Sequence, residues 1–194
     1  MRLFAALLPP PGASRPLAAA VDGLRALPGA EELRWTDRGG WHITLAFYGE
    51  VDDDAVPRLT GQLTEAAART EPFAVALHSG GTFGRDRVLW ARVRGDREAL
   101  RKLSGRCVDA GLRAGATREP DGLLPFTPHL TLARGTGTVG LHPYLSALHG
   151  YDVVPWVATR VALVRSDLPL PGRGTPGGRP RYTTVARMPL GGAR

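Results

Sequence analysis

His42-Ile43-Thr44-Leu45-Ala46-Phe47 and His129-Leu130-Thr131-Leu132-Ala133-Arg134 are near copies of each other, one in each half of a 194-residue chain. Both begin His, apolar, Thr, apolar, and their apolar and β-branched composition favours a strand. Successive side chains of a strand point to opposite faces. His42 and Thr44 therefore share one face, as do His129 and Thr131. Ile43, Leu45, Leu130 and Leu132 take the other. One face buries aliphatic groups, while the second presents an imidazole beside a hydroxyl, twice.

An imidazole titrates near pH 6.5, so of two histidines one can be neutral while the other is protonated. That pairing supplies a general base and a general acid together. A threonine hydroxyl donates a hydrogen bond to an anionic oxygen. Two donors and two histidines around one point suit a phosphodiester, whose transition state spreads negative charge over its oxygens. Neither a metal nor a nucleophilic side chain is required. A single His-x-Thr strand is commonplace; its repetition with matching apolar positions carries the reading. The chief rival chemistry, a metal at His42 and His129, lacks a third ligand at suitable spacing.

These blocks resemble the two-histidine phosphoesterase superfamily, and more closely its RNA 2′,3′-cyclic phosphodiesterase branch, also called 2′-5′ RNA ligases. The likeness runs nearly end to end. It takes in Met1 to Ala6, Arg34-Trp35, His42 to Val51, Val88 to Ala91, Pro125 to Arg134, Arg165-Ser166 and Arg181-Tyr182. The chain departs from the family pattern at Gly39-Gly40-Trp41 and in a long Pro/Gly segment, 169–180. The resemblance implies His42 and His129 as catalytic residues, with His42 favoured as acid and His129 as base. Thr44 and Thr131 would bind the phosphate, and no metal or cofactor would take part. It also implies a 2′-phosphate product and a possible reverse ligation through a 2′-5′ link. The expected partners are RNA ends or tRNA halves bearing a 2′,3′-cyclic phosphate. Small cyclic nucleotides are the alternative substrates, and a non-catalytic RNA-end-binding module is the alternative function.

Secondary candidates for substrate binding are Arg134, Tyr182 and Phe47. Arg134 carries a guanidinium just past the second block. Tyr182, with Arg181, reaches in from the last strand. Phe47, Phe83 and Trp41 are possible stacking surfaces for a base, although Phe47 also reads as core. His78, His142 and His149 lack a threonine at the same spacing and read as surface or capping residues.

Composition sets the remaining bounds. Hydrophobic residues make up 43%, as in a soluble globular protein. The one cysteine, Cys107, excludes an intramolecular disulfide and reads as a packing residue. The apolar run Leu3 to Leu8 is too short to span a membrane, so a cytoplasmic monomer is expected. The formal net charge is +7, a balance that attracts polyanions. Lys102 is the only lysine, however, and heavy Arg, Gly, Ala and Pro use is equally a mark of base composition.

In chain order, strands are expected over 2–8, 33–36, 41–49, 73–77, 88–93, 129–133, 151–164 (one long strand or two shorter ones) and 181–188. Helices are expected from Ser14, which would cap the first, and after Asp52-Asp53-Asp54, which would cap the second. Two more follow Asp96 and span 141–148. Gly80-Gly81 reads as a turn or bulge. The class is α+β. The resemblance adds two pseudo-symmetric lobes within a single domain over 1–194. Each lobe would be an antiparallel sheet with helices on its outer face, meeting at a central cleft.

Overall fold

The computed structural model describes residues 1–116, 126–151, 153–168 and 180–191. The chain alternates strands and helices: β1 (Arg2–Leu7), α1 (Pro11–Leu24), β2 (Arg34–Trp35), β3 (Ile43–Glu50), α2 (Val56–Ala68), β4 (Phe73–Phe83), β5 (Val88–Gly95), α3 (Arg97–Ala114), β6 (His129–Arg134), α4 (His142–Ala147), β7 (Trp156–Ala158), β8 (Arg160–Asp167) and β9 (Arg181–Pro189). The class is α+β, as expected. All strand pairs are antiparallel and form one sheet ordered β7-β4-β5-β6-β3-β1-β8-β9, with β2 also on β6.

The sheet is continuous, but it narrows sharply at its middle. β3 and β6 pair only through Ile43 and Leu130. On one side of this waist lies the wing β7-β4-β5-β6, and on the other the wing β3-β1-β8-β9. Helices cover one face of both. α1 and α4 pack behind β4, while α2 and α3 pack behind β3, β8 and β9. Their apolar stripes supply Leu17, Val21, Leu59, Leu63, Leu100, Leu103 and Cys107 to the core, as a one-sided helix must. A second link joins the wings: β7 pairs with β4, β8 pairs with β1, and Thr159 alone separates them.

Several local expectations were overridden. α1 begins at Pro11, so Ser14 lies inside the helix, buried, where Arg38 donates to its hydroxyl. α2 starts after Ala55 without a side-chain cap, leaving the Asp52-Asp53-Asp54 triplet exposed. Asp96 does cap α3, accepting from the Ala99 amide at 2.9 Å. Of the turn or bulge expected at Gly80-Gly81, the structure has the bulge: β4 runs on through both glycines with a register shift between His78 and Gly80. Of the one long or two shorter strands expected over 151–164, the structure has the two, β7 and β8, and most of the 169–180 segment lies outside the described residues.

The decisive irregularity occurs twice. In β3 the register against β1 shifts between Thr44 and Ala46; in β6 the register against β5 shifts between Thr131 and Ala133. These are β-bulges, each placing two consecutive residues where the partner has one. Leu45-Ala46 and Leu132-Ala133 all enter the core. Each bulge frees a carbonyl from the ladder, and each finds another donor. The Leu45 carbonyl accepts from Ser104 Oγ at 2.6 Å, and that of Leu132 from the Thr36 amide at 2.8 Å. The alternation then resumes in the opposite phase, so Phe47 and Arg134 point to the same face as the histidines.

Candidate active site

The open face of the waist gathers both motif blocks. Pairing of Ile43 with Leu130, continued one residue each way, sets His42 across from Thr131 and Thr44 across from His129. The two blocks are thus related by a local two-fold about the waist. All four side chains are half-buried, whereas Ile43, Leu45, Leu130 and Leu132 are fully or nearly fully covered beneath. The sequence-derived set of His42, Thr44, His129 and Thr131 comes together in space.

Both imidazoles are held the same way. His42 Nδ1 lies 2.7 Å from the Gly40 carbonyl, and His129 Nδ1 lies 2.8 Å from the Thr127 carbonyl. A carbonyl only accepts, so Nδ1 must carry the proton in each ring. Nε2 is left as the nitrogen that can take or give a proton.

Aromatic walls fix the ring planes. Phe4 lies 4.5 Å from His42, centroid to centroid, and Tyr182 meets His42 edge-on at 5.1 Å. Phe83 meets His129 edge-on at 4.9 Å, with Trp90 at 5.9 Å. Phe83 and Trp90 stack on each other at 4.7 Å. Two glycines make room for these walls. A Cβ on Gly81 would stand 2.3 Å from the Trp90 ring, and one on Gly40 would stand 3.0 Å from that of Tyr182. Gly40 is one of the residues where the chain departs from the family pattern; here it both accepts from His42 and lets Tyr182 close in.

Burial among these rings lowers the His42 pKa to about 4, against a smaller opposing effect from the Gly40 carbonyl. The positive charges of His129 and Arg134 push the same way. His42 is therefore neutral in the resting protein at neutral pH.

Beside His42 opens a cleft of about 320 Å³, lined among others by Arg34, Arg134, Arg181, Tyr182, Gly40 and Asp37. Arg134 and Tyr182 thus stand at the site, Arg134 on its face and Tyr182 against the ring. Phe47 is corrected from a core reading: it is half exposed, on the face of His42 and Thr44, with the Arg2 guanidinium 4.8 Å from its ring. Trp41 is buried, with Nε1 donating to the Thr36 carbonyl, and offers no stacking surface. Phe4, Trp90 and Arg34 were not singled out by sequence. Their signal was the register, since Ala6 pairs with Thr44, Trp90 with Thr131 and Arg34 with Arg134.

The sequence matches the model of the 2′-5′ RNA ligase superfamily over residues 11–169. An RNA 2′,3′-cyclic phosphodiesterase of Geobacillus stearothermophilus is 31% identical over 165 residues, 82% of this chain. The chain spans about half of that relative's length, 48%. The crystal structure of TT0787 of Thermus thermophilus superposes with a TM-score of 0.75 at 27% identity, covering all of both chains. Escherichia coli LigT complexed with 3′-AMP superposes with a TM-score of 0.74 at 26% identity over 97% of each chain. The twinned blocks, the curled antiparallel sheet that carries them and these similarities agree: the chain belongs to the 2′-5′ RNA ligase superfamily.

Proposed function

We propose that the protein hydrolyses 2′,3′-cyclic phosphate ends of RNA to 2′-phosphates by paired histidine acid–base chemistry. The observation that carries this reading is the matched setting of the two imidazoles. Each has Nδ1 committed to a carbonyl two residues back and Nε2 without a hydrogen-bond partner among the described residues, with a threonine from the facing block beside it. Family membership and the activity for which the Geobacillus relative is named support the substrate class.

In this mechanism water attacks phosphorus as His129 Nε2 takes its proton. The phosphorus–O3′ bond breaks, and His42 Nε2 protonates the departing oxygen, leaving a 2′-phosphate and a 3′-hydroxyl. Thr44 and Thr131 donate to the non-bridging oxygens. His42 starts neutral, so it gains its proton as the anionic phosphate arrives. Burial then favours losing it again, which makes the buried imidazolium a stronger acid toward O3′. The same residues run the reverse ligation with their roles exchanged.

The test is hydrolysis of a short RNA ending in a 2′,3′-cyclic phosphate in excess EDTA. Wild type should turn over, and His42→Ala and His129→Ala should each lose about 10²–10⁴-fold in kcat/KM. Thr44→Val and Thr131→Val should lose about 10²-fold, as for one oxyanion donor. Wild type that binds the RNA without cleaving it would make the protein a binding module instead.

A further inference from the structure

The second strand supplies a feature that the two-histidine chemistry does not use. β2 continues along the edge of β6 beyond the point where β3 leaves it, and there Arg34 pairs directly with Arg134. Residues directly opposite in an antiparallel pair project to the same side, with Cβ atoms about 5 Å apart. Arg134 is on the face of the histidines, so Arg34 is too. Their neighbours Trp35 and Ala133 point the other way, into the core.

Two guanidiniums facing each other across a ladder destabilise it unless something offsets their charge. Both are exposed, and among the described residues neither is in an ion pair. Arg181, from β9, lines the same 320 Å³ cleft. The described lining residues therefore include three arginines and one acidic residue, Asp37. The cleft shares Gly40 and Tyr182 with the surroundings of His42. It therefore opens directly from the ring, on the side away from Thr44 and Phe47.

The local two-fold holds for the chemistry and fails for the charge. His42 and His129 are equivalent about it, and so are Thr44 and Thr131. The residues three positions past each threonine are not: one is Phe47 and the other Arg134. The facing pair Arg34 and Arg134 and the cleft they line lie at one end, beyond His42, while the arginines toward the other end, Arg2 and Arg92, stand over the Phe47 and Trp90 rings. We propose that Arg34 and Arg134, with Arg181, form a second phosphate subsite that takes the phosphate on the 5′ oxygen of the nucleotide being hydrolysed. This rests on the hydrolytic reading above and adds to it a substrate class: ends that carry a second phosphate, in preference to bare cyclic nucleosides. The ribose lies between its two phosphates. A 5′ phosphate in the arginine cleft therefore sets the ribose on the His42 side of the cyclic phosphate, where the leaving O3′ needs its proton.

A 5′ phosphate can be a terminal monoester or the link to an upstream nucleotide, so three substrates are compared. They are adenosine 2′,3′-cyclic phosphate, its 5′-phosphorylated form, and the dinucleotide with the same cyclic end. For wild type, kcat/KM should rise at least about tenfold from the first to each of the others. In Arg34→Gln that ratio should collapse toward one, as expected for the loss of charge-assisted hydrogen bonds to phosphate. An equal loss on all three substrates, or an unchanged ratio, overturns the subsite. If only the dinucleotide gains and Arg34→Gln keeps that gain, the advantage comes from the second base, and the subsite is again overturned. A binding measurement separates this from the hydrolytic reading. Wild type should prefer adenosine 2′,5′-bisphosphate to adenosine 2′-monophosphate, and Arg34→Gln should lose that preference, whether or not any substrate turns over. Absence of turnover with the preference intact would sink the hydrolytic reading alone.

Discussion

His42 is a half-buried imidazole that its surroundings keep uncharged, and this has a consequence for stability. The unfolded chain takes up a proton at this histidine near pH 6.5, while the folded chain does not until about pH 4. Between these values the unfolded state binds more protons, so stability is full above about pH 6.5 and falls as pH drops toward 4. Thermal melts across this window should show a shallower decline for His42→Gln than for wild type. The proton-donor role has its own test. A cyclic phosphate with sulfur at the 3′ bridging position expels a thiolate, which needs no proton. On that substrate His42→Ala should recover most of its loss and His129→Ala should not; equal recovery of both would contradict the assignment.

At the scale of the element, the twin bulges decide what the site contains. Uninterrupted alternation puts Phe47 and Arg134 in the core, and the bulges turn both outward. Ser104 holds the first of them through its bond to the Leu45 carbonyl. Ser104→Ala leaves that buried acceptor unpaired and should cost about 1–3 kcal/mol in chemical denaturation. It should also lower kcat more than it raises KM, because Thr44 sits next to the bulge. This is also where legibility in the sequence ended. The shared face of His42 and Thr44, and of His129 and Thr131, follows from a period of two and could be read directly. A bulge leaves only an extra apolar residue, Leu45-Ala46 or Leu132-Ala133, which a regular strand can also contain. The caps failed for a related reason: Ser14 and Asp52 to Asp54 carry the right chemistry, but prolines and tertiary contacts set where α1 and α2 begin. Tyr182, Phe4 and Trp90 reach the histidines through strand order, which local pattern does not encode.

At the scale of the whole molecule, the waist concentrates risk. Ile43 is fully buried and forms half of the only residue pair joining β3 to β6 among the described residues. Ile43→Ala should destabilise the protein by about 2–5 kcal/mol, lowering Tm on the order of 10 °C. The net charge of +7 acts at this scale too. If it serves RNA capture, kcat/KM on an oligonucleotide should fall more steeply with salt than on a cyclic mononucleotide. Parallel slopes would leave the arginine content as a matter of composition.

Thr159 is the lone residue between β7 in one wing and β8 in the other. Together with the waist it gives the frame two pins rather than one, and a hinge pinned at two separated points does not swing. The spacing between the two Nε2 nitrogens is then built in during folding and is not assembled by jaws closing on each substrate. Turnover should accordingly show no slow closing phase before the chemical step, and rapid mixing with a cyclic-phosphate RNA should give binding in a single exponential. Inserting two glycines after Thr159 removes one pin. That variant should introduce such a phase and lower kcat, with the residues around the phosphate unchanged.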